Sequence, residues 1–107
     1  MTLIEVATLI GDVLTLIDGR LQTPGLDGAS WHALYALRKH LNDIQRALVR
    51  AAIAQATGQY QDLTAKLKKA SDDLKGTIAD LKKVADTISV ISQIASYADG
   101  VLKLASK

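Results

Sequence analysis

Few side chains in this chain could do chemistry. His32 and His40 are its two histidines, eight residues apart. That spacing sets them on similar parts of a helix face without making them neighbours. Asp43 follows His40 by three residues. A metal centre needs three or four converging ligands, and this set does not reach that number, so the histidines are expected at a solvated edge. Ten aspartates accompany one glutamate, Glu5. Asp72 and Asp73 are adjacent, and consecutive helical residues project about 100° apart. They make a solvated face rather than an acid–base dyad. Serines and threonines are plentiful between residues 87 and 96, but no glycine-flanked serine elbow and no partner base accompany them. No glycine-rich phosphate loop is present. With no cysteine there is no disulfide, thiolate ligand or cysteine nucleophile. The expectation is a chain that is not an enzyme, with no catalytic, cofactor-binding or metal-binding residue.

Lys66, Lys68, Lys69, Lys75, Lys82 and Lys83 are the next candidates. Interleaved aspartates lower the potential they can build. No aromatic residue sits among them to stack on a base, and a net charge of +2 is too small to argue for nucleic acid. No nucleic-acid partner is expected. Lys68 and Asp72, Lys69 and Asp73, and Lys82 and Asp86 are spaced to meet on a helix surface.

The elements that carry these residues are helical in pattern. Hydrophobic residues make up 49% and charged residues 22% of 107 residues. That suits one globular domain over 1–107 rather than a disordered chain. The apolar set is Leu, Ile, Val and Ala, there is no Phe, and the one proline is Pro24. An all-α fold follows: an antiparallel bundle of three helices, or four, with a long coiled-coil-like C-terminal helix.

The first helix is expected over 2–22. Thr2 and Glu5 have the spacing of a capping box. Glu5, Thr8, Asp12, Thr15 and Gly19 form a narrow polar stripe, and the rest is largely apolar, so this helix must be covered on more than one side. Residues 23–29 are rich in turn formers. Ser30 caps a second helix, 30–57, with the apolar row Leu34, Leu37, Leu41, Ile44, Leu48 and Ala51 or Ala52. Trp31 and Tyr35, one turn apart, are placed at the end of the core beside the loop. Gly58 marks a turn, because the apolar phase shifts between Ala56 and Tyr60.

The strongest pattern runs from Tyr60 to Lys107. Leu67, Leu74, Leu81 and Ile88 form one row; Leu63, Ala70, Thr77, Val84 and Ile91 form the other. The alternation continues through Ala95, Ala98, Leu102 and Ala105, a spacing of about 3.5 residues that puts one seam along one side of a helix. Gly76 is a possible break. Phase is kept through it, and one helix over 59–105 would be about 70 Å long. A second helix of about 40 Å cannot shelter that seam. Its far end, with Ile88, Ile91, Ile94, Ala95, Ala98 and Leu102, is therefore expected to be an interface. The functional expectation is a non-enzymatic interaction module that self-associates or pairs with a helical protein. The alternative is a membrane-active protein that lies on or inserts into a bilayer through residues 87–98 or the first helix. The N-terminus lacks a basic segment ahead of an apolar one, so no classical signal peptide is expected. The expected compartment is the cytoplasm, with other export routes left open.

Overall fold

The computed structural model describes residues 1–53, 55 and 57–104; of Leu81 it describes the backbone only. The fold is all-helical. Four helices follow in order: α1 (Leu3–Gln22), α2 (Gly28–Leu48), α3 (Gly58–Thr77) and α4 (Val84–Lys103), the last preceded by a 3-10 turn at Leu81–Lys83.

Each start has a chemical cause. At α1 the Thr2 hydroxyl accepts from the Glu5 N–H at 3.1 Å, and the Glu5 carboxylate accepts from the Thr2 N–H at 2.9 Å. This capping box satisfies donors that a helix end leaves orphaned. At α2 the cap is Asp27, not the Ser30 that the sequence predicts; its carboxylate accepts from the Ser30 N–H at 2.7 Å. At α3 the Thr57 hydroxyl accepts from the Tyr60 N–H at 3.2 Å.

Three contacts order α1 against α2. Trp31 Nε1 donates to the Leu21 carbonyl at 3.1 Å, Arg38 grips Asp18 at 2.7 and 3.2 Å, and Gln45 Nε2 donates to the Ala7 carbonyl at 2.9 Å. Positions rise on one helix as they fall on the other, so the two run in opposite directions. Gly11 makes room for the last of these, since a Cβ there would stand 3.0 Å from Gln45 Nε2.

In α3 and α4 the order is again reversed. Leu63 packs on Gly100, where a Cβ would lie 3.2 Å from a Leu63 methyl, and the Thr77 and Thr87 hydroxyls meet at 3.4 Å near the connection. The Tyr60 hydroxyl donates to the Met1 carbonyl at 2.7 Å and so brings the starts of α1 and α3 to one end of the molecule. Thus α1 and α3 point the same way, and α2 and α4 the other way.

Packing is uneven around this body. Each hairpin is tight, and α2 lies closely against α4, where His40 Nε2 and Asp99 Oδ2 stand 2.7 Å apart. In contrast, α1 and α3 meet only sparsely. The core joins Val6, Ile10, Val13 and Ile17 to Leu34, Leu41, Ile44 and Leu48, and these to Tyr60, Leu67, Leu74, Ile91, Ile94, Ala98 and Val101. Each large aliphatic side chain so buried contributes roughly 1.5–3 kcal/mol.

The expected 70 Å rod is absent. The chain leaves the helix after Thr77 and folds back, giving a body of 42 × 21 × 17 Å. The break comes beside Gly76, but this glycine keeps an ordinary negative φ; Gly25 is the one positive-φ glycine among the described residues. The reversal is fixed instead by Asp80, whose carboxylate accepts from the Lys82 N–H at 2.9 Å and opens the 3-10 turn. The second helix is also shorter than the expected 30–57. Beyond Leu48 the bonds tighten to Arg50 N–H with Ala47 and Ala51 N–H with Leu48, as at a closing helix end. Beyond the helix end Ile53 still packs against the core, so this stretch turns to cover it instead of continuing along the helix axis. Ala54, Ala56 and Ala105, which the sequence reading set within helices, lie outside the described residues.

Candidate interaction surface

The six residues assigned to an interface turn inward. Ile91, Ile94 and Ala98 are fully buried and Ala95 nearly so, while Ile88 and Leu102 are partly buried against the same core. They are covered by this chain's own helices. Covering this seam needs no second chain.

The candidate chemistry is equally dispersed. His32 is exposed, its ring 5.4 Å from and perpendicular to that of Trp31. His40 is far from His32 in contacts, facing Asp99 of α4 instead. Asp43, Asp72 and Asp73 are exposed, and Asp72 stands 3.8 Å from Lys68 in a solvated pair. Among the described residues no group of His, Asp and Glu converges as a metal site would require. Trp31 and Tyr35 sit beside the α1–α2 loop, but at 37% and 44% exposed they do not close the end of the core as the sequence predicts.

What the surface does offer lies on the loosely packed side. Between α1 and α3 runs an open groove of about 300 Å³. Glu5 and Asp12 stand on its α1 wall, Lys68, Asp72 and Lys75 on its α3 wall, and Leu9 and Ser71 lie between them. At its mouth is Ile4, 79% exposed. Ile4 also lines a second, smaller depression with Leu3, Leu48, Val49 and Ala51, where Val49 is 68% exposed. Two branched aliphatic side chains thus face water at one end of the bundle.

The polar stripe of α1 carries less polarity than its composition implies. The Thr8 hydroxyl donates to the Ile4 carbonyl at 2.8 Å and the Thr15 hydroxyl to the Gly11 carbonyl at 3.1 Å. With their hydroxyls satisfied within the helix, these threonines turn chiefly methyl groups outward. Gly19, next along the ridge, has open space where a Cβ would be. The exposed face of α1 therefore runs from Ile4 to Gly19 through the small residues Thr8 and Thr15, interrupted by the acids Glu5 and Asp12.

Electrostatics add local detail. Hydrogen bonding from Thr2 holds the Glu5 carboxyl below its usual pKa, and the Ser30 backbone N–H does the same for Asp27. Hydrogen bonding to Asp18 raises the Arg38 guanidinium. Burial raises the Tyr60 phenol. Sequence reasoning missed Arg20, which is only 8% exposed and whose Nε and Nη2 find no hydrogen-bond partner. Its position follows from the α1 phase shared with Val6, Val13 and Ile17. A long basic side chain near a helix C-terminus ordinarily reads as solvated, so composition concealed it.

Comparison with protein-family models, with curated proteins and with solved structures gave no match.

Proposed function

We propose that this chain is a non-enzymatic helical interaction module, which binds a second helical surface along its α1–α3 side. One observation carries the reading: Ile4, 79% exposed, stands between two depressions that together expose Val49 and reach Leu3 and Leu9. Single exposed aliphatic residues are ordinary. An isoleucine flanked by apolar hollows is a ready anchor, and covering it would recover roughly 1.5–3 kcal/mol. The mode is helix-in-groove packing, in which the occupant supplies an apolar face and the charged walls fix its register.

Residues 87–98, the stretch considered for membrane insertion, lie within α4 and furnish core residues. No described helix is long and apolar enough to cross a membrane. Surface association with lipid is separable by experiment. A photoreactive amino acid at position 4, introduced in the cells that make the protein, is expected to yield a discrete protein adduct, with none from position 32. Adducts to lipid alone, or the same products from both positions, would overturn the reading.

A further inference from the structure

We infer that the occupant of the α1–α3 groove is a second copy of this chain, related by a two-fold axis that runs along the groove. The inference rests on the reading above and narrows it to one partner.

Charge placement selects the partner and the axis. The α1 wall carries Glu5 and Asp12, and the α3 wall carries Lys68 and Lys75 with Asp72 between them. No ion pair bridges the two walls among the described residues; the pairs on α3 are Lys66 with Asp62 and Lys68 with Asp72, along the helix itself. An acidic wall and a basic wall side by side are complementary to the same surface turned about. Because α1 and α3 point the same way, rotation about an axis parallel to them lays α1 of one copy over α3 of the other, at the same height. Asp12 then faces the partner's basic wall twice over, once in each direction. An axis across the helices would instead lay α1 on α1 and face acid with acid. Isologous contacts of this kind close at two subunits.

Shape and size agree. The small residues on the exposed face of α1 allow close approach of a helix, since Thr8 and Thr15 have internally bonded hydroxyls and Gly19 has open space. A long side of the 42 × 21 × 17 Å body is close to the ~800 Å² per partner of a standard interface. The face is large enough for one such contact.

The test uses the full chain and exchanges the walls. Asp12→Lys neutralises the α1 wall, the new lysine offsetting the remaining Glu5, and sets a lysine opposite the partner's basic wall, while Lys68→Glu with Lys75→Glu makes both walls acidic; these side chains line an open groove, and Glu5 keeps its cap. Solution mass is followed by light scattering up to about 1 mM protein, the weak end of specific association. The unaltered chain is expected to dimerise. Each wall variant alone should lose roughly tenfold or more in affinity, with unchanged helical circular dichroism and melting. An equimolar mixture of the two variants should recover association as a mixed dimer. Ile4→Ser, altered at an exposed residue, should weaken dimerisation and leave the fold intact. A strictly monomeric parent chain would overturn the inference, even where the adduct at position 4 shows a different protein partner and preserves the broader reading. So would wall variants that dimerise as well as the parent, or a mixture that stays monomeric.

Discussion

At the scale of single residues, Arg20 and Asp27 show how position changes the meaning of a charge. Arg20 is buried with two guanidinium nitrogens unpartnered, and desolvated donors without partners cost stability. Arg20→Leu keeps the apolar stem and removes those donors. It is expected to raise stability by about 1 kcal/mol, read as a higher urea midpoint at unchanged slope. Asp27 works the other way. Its carboxylate caps α2 through Ser30 and is held below its usual pKa. A carboxyl with a lowered pKa in the folded state binds its proton more readily when unfolded, so its contribution is full above the ordinary value, about 4. It is lost as pH falls through the lowered folded value. Asp27→Asn retains a capping oxygen and cannot titrate. The variant should show a shallower fall in melting temperature below about pH 4, with Glu5 accounting for part of the slope that remains.

At the scale of elements, the reversal after α3 is the decisive feature. Lys75, Gly76 and Thr77 keep the seam in phase, and Leu74 and Ile78 are both buried. Heptad spacing records which side of a helix is apolar, not whether the covering helix belongs to another molecule. A rod and a hairpin of the same sequence therefore share one pattern. The turn is carried by Asp80, which bonds Lys82 through its carboxylate and Thr77 and Lys83 through its backbone, a short Asx turn within a run of helix formers. Asp80→Ala removes the carboxylate bond and adds a strong helix former, which favours an extended α3–α4. A loss of about 1 kcal/mol in thermal stability is expected, together with some gain in a longer, associated species on size exclusion. Unchanged melting and elution would show that core packing alone sets the turn.

At the scale of the whole molecule, one core holds both hairpins, and the seam of α4 is its centre. Ala95, 5% exposed, lies in that core beside Ile91, Ile94 and Ala98. Ala95→Asp would force a carboxylate among aliphatic side chains. The expected loss is at least about 3 kcal/mol, a large share of the ~5–15 kcal/mol that holds a domain together. The variant should melt far below the parent chain at every protein concentration. A folded variant altered only in its solution mass would place Ala95 at an interface after all. The contacts proposed between copies lie on the opposite side of the body, where α1 and α3 leave their groove.

The chain's helical class, the Thr2–Glu5 cap, the break near Pro24 and the apolar row of α2 were legible in the sequence. These features are local: they depend on residue type, on spacing along one helix, or on the bond between a cap and its first turn. Tertiary structure alone decided that the C-terminal seam would be covered from within, that α2 would stop at Leu48, that Arg20 would be buried and that Ile4 would be left in water. Periodicity assigns a residue to a face. Only the placement of the other helices determines whether that face meets protein or solvent.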